Sequence, residues 1–264
     1  MAYWALKIVL TPILRLLYRV RVEGSGHVPR SGPVILASNH QSFIDSVFLA
    51  LCVGRRVTFV AKAEYFESWK TAWFFRAVGM IPLKREGGSA SERALAAARE
   101  VLMAGGVLGI YPEGTRSPDG RLYKGHTGVA RLAIQCGAPV VPVAQFGTAG
   151  VQPIGALLPK LFKRVHLEMG APLRIGPDAG GPDPGRAGAE AGSSGTGGGP
   201  RAMPGPRELR RITDEIMRAI ADLSGQEYVG AYAKRDRGLL SAPGSDAEPT
   251  VVRELVTPRA RAVP

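Results

Sequence analysis

The sequence of 264 residues is poor in cysteine and has no long uninterrupted apolar segment. Cys52 and Cys136 are its only cysteines. Both lie in apolar, helix-like stretches without metal-ligand spacing, so we interpret them as reduced core thiols of a cytosolic protein. The mean hydropathy is close to zero, which excludes a polytopic membrane protein. Lys7 and Arg15 interrupt the apolar N-terminal segment and no small-residue cleavage site follows, so we do not expect a signal peptide.

Three motifs of nucleotide binding and covalent catalysis are also missing. The sequence contains no Gly-x-Gly-x-x-Gly fingerprint of dinucleotide-binding proteins. The stretch GIYPEGT places Thr115 where a Walker A loop requires lysine. No Gly-x-Ser-x-Gly nucleophile elbow occurs either, which disfavours a covalent acyl-serine intermediate.

The balance of charge is uneven along the chain. Lys and Arg number 34 against 22 Asp and Glu, which gives a formal net charge of +12. Residues 1–176 contain 22 basic and 10 acidic residues, whereas residues 177–264 contain 12 of each. The excess in the first two thirds predicts an anionic partner there: nucleic acid, a membrane surface or a phosphorylated substrate.

Residues 1–22 have the pattern of an amphipathic helix that lies on a membrane surface. On an α-helix, one face would carry Tyr3, Leu6, Leu10, Ile13 and Leu17, and roughly the opposite side Lys7, Arg15 and Arg19. A basic side opposite an aromatic and aliphatic side is typical of helices in the lipid headgroup region. The alternative is a helix that packs on the domain and keeps its charges in water.

Residues 23–175 predict an α/β domain with a mostly parallel or mixed central sheet flanked by helices, because short β-branched runs alternate with helical periods. We expect strands at residues 33–38, 57–62, 79–85, 107–112, 138–146 and 165–175, and helices at residues 43–53, 90–104 and 125–136. Pro139 and Pro142 suggest that the fifth strand is irregular or lies near an edge.

The last third of the chain differs in composition from the domain before it. Residues 176–206 are rich in Gly, Pro, Ala and Ser without a period, which predicts a flexible insertion. Residues 207–228 predict a helix that packs back on the domain through Leu209, Ile212, Ile216 and Ile220. We expect residues 229–264 to form a disordered, polar tail.

The stretch SNHQSFIDS, residues 38–46, places polar residues directly after the first predicted strand. Open α/β sheets carry their functional residues at strand ends. Positions five apart diverge by about 140° within one helix, so His40 and Asp45 can meet only if His40 lies in the loop and Asp45 in the first helical turn. That arrangement would make His40 a general base and Asp45 the acid that orients it. The alternative is that His40 caps the helix and Asp45 accepts from a backbone amide, while Asn39 holds the turn.

Two further strand ends carry residues suited to binding an anion. In the stretch YPEGTRS, Gly114 allows a tight turn, Thr115 adds a hydroxyl and Arg116 supplies a bidentate fork for phosphate. Lys84 and Arg85 form a cationic pair after the third predicted strand. The sequence therefore predicts an anion-binding region at the edge of the sheet that carries His40.

Four blocks, in this order along the chain, resemble the motifs of the glycerolipid acyltransferase family: NHQSFID, GMIPLKR, YPEGTRS and VVPVA. The best-known members of that family are 1-acylglycerol-3-phosphate acyltransferases, and the resemblance covers roughly residues 20–175. It implies that His40 is the catalytic base and Asp45 its charge-relay partner. It assigns acceptor binding to Arg85, Glu113, Gly114, Thr115 and Arg116. It ties Pro142 to the acyl donor or to structure.

The resemblance implies transfer of an acyl chain from an acyl thioester to the 2-hydroxyl of lysophosphatidate, giving phosphatidate for phospholipid synthesis. Acyl-CoA or an acyl carrier protein would be the co-substrate, and we expect no cofactor. We expect a monomer bound peripherally or monotopically to the anionic cytoplasmic face of the cell membrane, with no nucleic-acid partner. The alternatives are an acyltransferase or transacylase with another lysolipid acceptor, and a non-catalytic membrane- or nucleic-acid-binding protein that uses the basic surface.

Two other groupings of side chains are less favoured. The i, i+3, i+7 spacing of Phe66, Trp69 and Trp73 is more typical of a core-facing helix stripe than of an acyl-chain groove. A metal site would have to combine His40, Asp45, Glu113 and His126, in which no ligand pair has helical or hairpin spacing. We therefore expect no metal.

Overall fold

The computed structural model describes residues 2–62, 80–83, 90–175 and 203–233. Several predicted features lie outside the described residues: the aromatic stripe of Phe66, Trp69 and Trp73, the pair Lys84 and Arg85, most of the insertion and most of the tail. The described residues form a seven-stranded sheet with helices on both faces and a separate two-stranded pair.

The sheet is mixed, with one antiparallel pair. In chain order the strands are β1 (Arg21–Glu23), β2 (Val34–Ser38), β3 (Val57–Lys62), β4 (Met80–Leu83), β5 (Val107–Ile110), β6 (Leu122–Tyr123), β7 (Val140–Phe146), β8 (His166–Met169) and β9 (Tyr228–Val229). The order across the large sheet is β1-β8-β7-β2-β5-β3-β4, and β6 pairs with β9. Only β7 and β8 are antiparallel among these described pairs. The predicted α/β fold with a mixed central sheet is confirmed.

Helices cover both faces of the sheet. They are α1 (Ala2–Tyr18), α2 (Asp45–Cys52), α3 (Ala90–Met103), α4 (Gly128–Cys136), α5 (Thr148–Val151) and α6 (Pro206–Ser224). Helices α1 and α2 share one apolar cluster with the sheet, and α3, α4 and α6 share the cluster on the other face. The buried residues of α6 include the four that the pattern assigned to its apolar side: Leu209, Ile212, Ile216 and Ile220.

Strand β2 shows why the functional residues come at strand ends. All five of its residues are buried. Val34 and Leu36 belong to the cluster of α1 and α2, whereas Ile35 and Ala37 belong to the opposite cluster. A strand covered on both faces reads as a continuous apolar run. Polar side chains can therefore appear only after Ser38, at the edge where the parallel strands β5 and β7 also end.

The prediction that the fifth strand is irregular or lies near an edge is wrong. This strand is β7, which lies inside the sheet between β2 and β8. Pro142 is opposite Ala37 of β2, and its carbonyl accepts a hydrogen bond of 2.9 Å from the Gly170 N–H. The nitrogen of a strand residue points to the same side as its carbonyl. Proline is tolerated because its missing N–H faces β8 just beyond the end of that strand.

The predicted faces of the N-terminal helix are only partly correct. Tyr3 is buried against the domain, as a residue of an apolar side would be. Lys7 does not lie in water, however, because its Nζ donates to the carbonyls of Ala50 and Val53 at the end of α2. The last carbonyls of a helix have no partner within the helix and favour a cation. Sequence periodicity alone could not anticipate this tertiary contact.

A second apolar side of α1 faces outward. Its large side chains are between 45% and 81% exposed: Trp4, Ile8, Val9, Ile13 and Leu16. Within the described residues, no helix has both the length and the apolar character needed to cross a membrane.

Candidate active site

His40 and Asp45 meet at the edge of the sheet where β2 ends. His40 lies in the loop that follows β2, and Asp45 is the first residue of α2. The Nδ1 atom of His40 is 2.8 Å from Oδ2 of Asp45. The two residues therefore have the loop and first-turn positions under which the sequence allowed them to meet.

Asp45 is held rigidly by the chain around it. Its Oδ2 atom also accepts hydrogen bonds from the backbone N–H groups of Gln41, at 2.8 Å, and Ser42, at 2.9 Å. Carboxylates readily accept from such N–H groups beside a helix N-terminus. The predicted alternative role for Asp45, acceptance from backbone amides, thus coexists with its contact to the imidazole.

The arrangement fixes which ring nitrogen of His40 can accept a proton. A carboxylate oxygen only accepts hydrogen bonds, so Nδ1 of His40 carries the proton and Nε2 is the basic atom. The His40 side chain is 17% exposed, whereas the Asp45 side chain is completely buried. A ligand from solvent can therefore reach the imidazole but not the carboxylate.

Tyr111 supports the imidazole from one side. The two rings are stacked, with centroids 3.8 Å apart and an interplanar angle of 11°. The Tyr111 hydroxyl is 3.0 Å from the Ser46 hydroxyl, and its ring lies nearly parallel to Phe59 at 5.9 Å. Burial, together with the negative charge of Asp45, raises the pKa of Tyr111 well above its usual value. Tyr111 is therefore a neutral support, which sequence reasoning missed.

The carboxylate of Glu113 connects the His40 loop to strand β6. Its Oε1 accepts from the His40 backbone N–H at 3.3 Å, and its Oε2 accepts from the Tyr123 N–H at 2.9 Å. The residue is only 3% exposed. Burial raises the pKa of Glu113 to about 7, against the opposing effect of the two backbone donors. Both carboxylate oxygens thus accept a hydrogen bond within the protein, and the predicted contact between Glu113 and an acceptor stays a prediction.

The rest of the EGTR stretch lies beside the same loop. Gly114 has a φ of +70°, the left-handed conformation that the predicted tight turn requires, and a Cβ there would be 3.0 Å from the His126 ring. The Ser117 N–H donates to the His40 carbonyl at 2.7 Å. Arg116 makes no hydrogen bond or ion pair with the described part of the chain. Thr115 and Arg116 are half-buried next to a chain segment bonded to His40.

Asn39 has a wider role than the predicted turn. Its side-chain amide donates to the Gln145 carbonyl at 3.1 Å and to Gln226 Oε1 at 2.8 Å, and its own oxygen accepts from the Gln145 N–H at 2.8 Å. Asn39 thereby joins the ends of β2 and β7 to the segment after α6. Gln226 is 187 positions away in sequence, so no local pattern could have predicted this contact.

The two cysteines and the other possible metal ligands of the described residues form no second reactive centre. Both cysteines are free, and burial raises the pKa of Cys52 to about 11 and also raises the pKa of Cys136. Thiols with raised pKa values are poor nucleophiles at neutral pH. Within the described ranges, no group of three or more His, Cys, Asp or Glu residues is arranged to hold a metal ion.

Residues 19–145 match the family model described as acyltransferase. This segment, here called the acyltransferase domain, is therefore similar to that family. The domain contains His40, Asp45, Tyr111 and Glu113, together with the strands that position them. The catalytic roles that the sequence predicts for His40 and Asp45 therefore fall within the matched segment.

The acyltransferase domain is similar to 1-acyl-sn-glycerol-3-phosphate acyltransferases from plants and animals. The chloroplast 1-acyl-sn-glycerol-3-phosphate acyltransferase of Arabidopsis thaliana is 34% identical over 140 residues, which is 53% of this chain and 39% of that protein. The human 1-acyl-sn-glycerol-3-phosphate acyltransferase alpha is 32% identical over 135 residues, 49% of this chain and 47% of that protein. The chain thus spans less than half the length of these two relatives.

A solved structure matches more of the chain. The crystal structure of the 1-acyl-sn-glycerophosphate acyltransferase of Thermotoga maritima has a TM-score of 0.54 and 28% sequence identity. The match covers 77% of this chain and 71% of that one. It therefore extends beyond the acyltransferase domain defined by residues 19–145.

Proposed function

We propose that the chain transfers an acyl group from an acyl thioester to the 2-hydroxyl of lysophosphatidate, giving phosphatidate. The observation that carries the proposal is the 2.8 Å contact between His40 Nδ1 and Asp45 Oδ2 inside an acyltransferase domain. The names of the similar proteins from Arabidopsis, human and Thermotoga support the choice of acceptor. The co-substrate is acyl-CoA or an acyl carrier protein, and the mechanism requires no cofactor.

His40 acts as the general base in this proposal. The acceptor hydroxyl donates its proton to Nε2 of His40 as its oxygen attacks the thioester carbonyl carbon. Asp45 stabilises the imidazolium that forms, and Tyr111 keeps the ring in its plane. When the tetrahedral intermediate collapses, the carbon–sulfur bond breaks and His40 returns the proton to the leaving thiolate. General acid–base catalysis of this kind contributes about 10²–10⁴-fold to a rate.

The EGTR stretch orients the acceptor. Arg116 has a guanidinium without a partner in the described residues, and this group suits the acceptor phosphate. We assign the same role to Arg85 from the family resemblance, and place Gly114 and Thr115 beside the phosphate. Glu113 has both oxygens bonded to backbone N–H groups. We therefore assign Glu113 to positioning the His40 loop.

The enzyme works at a membrane surface in this proposal. The exposed apolar side of α1, with Ile8 71% and Leu16 81% exposed, supports peripheral or monotopic attachment. The net charge of +12 favours an anionic surface such as the cytoplasmic face of the cell membrane. We propose a monomer that binds no nucleic acid.

The test is an assay of purified protein with acyl-CoA or acyl carrier protein and a panel of lysolipids, read by lipid mass spectrometry. His40→Ala should lower kcat by about two to four decades, and Asp45→Asn should also impair turnover, since a neutral amide cannot stabilise the imidazolium by its charge. The matched control is His27→Ala. His27 binds the Met169 carbonyl at the opposite edge of the sheet, so its loss should leave kcat unchanged. Near-normal turnover by the His40 variant would refute the proposed mechanism.

A further inference from the structure

The chain between α5 and β8 exposes an unusual set of apolar side chains. Residues 157–164, here called the apolar loop, have the sequence LLPKLFKR. Leu157, Leu158, Leu161 and Phe162 are 90%, 75%, 52% and 77% exposed. Single exposed apolar residues are ordinary on protein surfaces, but a contiguous group indicates an interaction site.

The apolar loop has a defined backbone. The Lys160 N–H donates to the Val151 carbonyl at 2.7 Å, which ties the middle of the loop to α5. Phe162 has a φ of +58°, in the left-handed region that bulky side chains rarely adopt. The Val165 N–H donates to the Tyr18 carbonyl at 3.1 Å. These contacts fix the middle of the loop and the residue that follows it, and its apolar side chains are exposed.

A cationic cleft adjoins the apolar loop. Its volume is about 550 Å³, and its lining includes Arg19, Arg21, Arg164 and His166. Arg21 and His166 share the carboxylate of Glu23, at 2.6 Å and 3.5 Å. Arg19 and Arg164 have no ion pair with the described part of the chain. Two guanidinium groups in the cleft are therefore without a counter-charge among the described residues.

The loop and the cleft lie at the same edge of the sheet as His40. Phe146, at the end of β7, lines the cleft, and β2 ends beside β7 at this edge. The Ser42 hydroxyl donates to the Gln152 carbonyl at 2.7 Å, which connects the His40–Asp45 turn to the segment that leads into the loop. Tyr18, at the end of α1, bonds to Val165 after the loop. The apolar loop thus lies between the active-site edge and the end of α1.

We infer that the apolar loop and the cleft form a second membrane contact that binds anionic phospholipid, separate from the exposed side of α1. The leucines and Phe162 enter the boundary between headgroups and acyl chains, and Arg19 and Arg164 bind headgroup phosphates. Lys160 and Lys163, both exposed, extend the positive surface around the apolar residues. Apolar side chains surrounded by basic ones are complementary to an anionic bilayer and to no soluble phosphate ester. Binding does not depend on acyl transfer, so it can be tested in a His40→Ala background.

The experiment is flotation of the full chain with vesicles of phosphatidylcholine alone or mixed with phosphatidylglycerol. Arg19→Gln combined with Arg164→Gln should weaken binding to the anionic vesicles about 30-fold, given ~1 kcal/mol for each basic residue near such a surface. Leu161→Ser combined with Phe162→Ser should weaken binding to both vesicle types. The charge variant should leave the weak binding to neutral vesicles unchanged, and high salt should abolish its difference from wild type.

Matched control variants remove the same kinds of side chain, two arginines or one apolar residue, from other surfaces. Arg131→Gln combined with Arg218→Gln removes two exposed charges from α4 and α6, and Met103→Ser removes an apolar side chain that is 61% exposed on α3. Unfolding midpoints of all variants establish that each is folded. A second measurement places tryptophan at position 162 (Phe162→Trp) and follows the quenching by brominated lipid that it adds to that of the wild-type chain, which contains Trp4, Trp69 and Trp73. If the paired arginine variant binds like its control, or if the new tryptophan is not quenched on vesicle binding, the inference is overturned.

Discussion

The residues around His40 divide into those that react and those that hold the reacting group in place. The His40 ring stacks on Tyr111, the His40 backbone N–H donates to the Glu113 carboxylate, and the His40 carbonyl accepts from the Ser117 N–H. All three belong to the stretch that begins as β5 ends. The block YPEGTRS therefore positions the catalytic base as well as residues suited to binding a ligand, which the motif alone does not reveal.

Substitution of Arg116 tests whether its guanidinium binds the phosphate of the acceptor. A charge-assisted hydrogen bond is worth roughly 1.5–3 kcal/mol, which is about 10- to 150-fold in a rate constant. Arg116→Ala should lower kcat/KM for lysophosphatidate by about that factor, and much less for monoacylglycerol, which has no phosphate. Arg85→Ala should behave in the same way, and Lys at either position should rescue only part of the loss.

Arg55 is the control for those variants. Its guanidinium donates to the carbonyls of Pro29, Gly32 and Gly105, outside every motif. Arg55→Ala should lower stability but leave the ratio of kcat/KM for the two acceptors unchanged. If that ratio also keeps its wild-type value in the Arg116 variant, Arg116 does not bind the phosphate.

The raised pKa of Glu113 predicts how the free energy of unfolding depends on pH. Burial raises its pKa from 4.5 to about 7, so the folded state binds a proton that the unfolded state has released between these values. The contribution of Glu113 to stability is full below about pH 4.5 and is lost as the pH rises through about 7. Urea unfolding of wild type and Glu113→Gln at pH 5 and pH 8 measures this contribution. The advantage of wild type over the variant should shrink at pH 8; an advantage that grows would contradict the raised pKa.

Three rings stack in a column that extends from strand β3, past the end of β5, to the imidazole of His40. Phe59 of β3 lies beside Tyr111, which lies beside His40. Gly109 of β5 is the residue that makes room for Phe59, since a Cβ there would be 2.2 Å from the Phe59 ring. The position of the imidazole thus depends on the absence of a side chain two residues before Tyr111.

Gly109→Ala should test this dependence. Overpacking of this kind costs typically about 1–3 kcal/mol, and we expect the free energy of unfolding to fall by that amount. The displaced rings should also lower kcat more than KM changes, because binding of the substrates does not require the column. Gly54→Ala is the control, since a Cβ there meets no atom within 4 Å. Equal kcat values for the two variants would show that the column of rings does not affect catalysis.

Helix α1 packs on the domain with one side and exposes the other, so its membrane contact is best tested by point substitutions. Deleting the helix would remove Lys7 from the end of α2 and Tyr3 from the core, so it would test folding and membrane binding together. Burial lowers the pKa of Lys7 to about 8. Ile8→Ser combined with Leu16→Ser changes only the outward side. We expect reduced sedimentation with anionic vesicles and an unchanged unfolding midpoint; full retention of vesicle binding would show that this side of α1 is not a membrane contact.

Across the whole molecule, the sequence predicts what depends on neighbours in the chain. Six of the nine described strands and every described helix except α5 follow from periodicity, whereas the short strands β1, β6 and β9 were not predicted. The meeting of His40 and Asp45 depends on a turn only five residues long. Contacts between distant segments could not be predicted in this way. Lys7 at the end of α2, Pro142 beside Gly170, and Asn39 with Gln226 each depend on which elements become neighbours in the folded chain.

The pairing of β1 with β8 has a consequence for how the protein is made. Arg21 is paired with His166, which lies 145 positions later in the sequence (166 − 21). At about 5–20 residues per second, a ribosome needs about 7–29 seconds to synthesise that interval. Strands β2, β3, β4, β5 and β7 and the His40–Asp45 turn are complete in the nascent chain before β8 exists. Until then β1 is an unpaired edge. A chain stalled before residue 166 would therefore contain both His40 and Asp45 in a sheet that still lacks β8. The unpaired β1 of such a chain would be a binding site for a chaperone that recognises exposed strand edges.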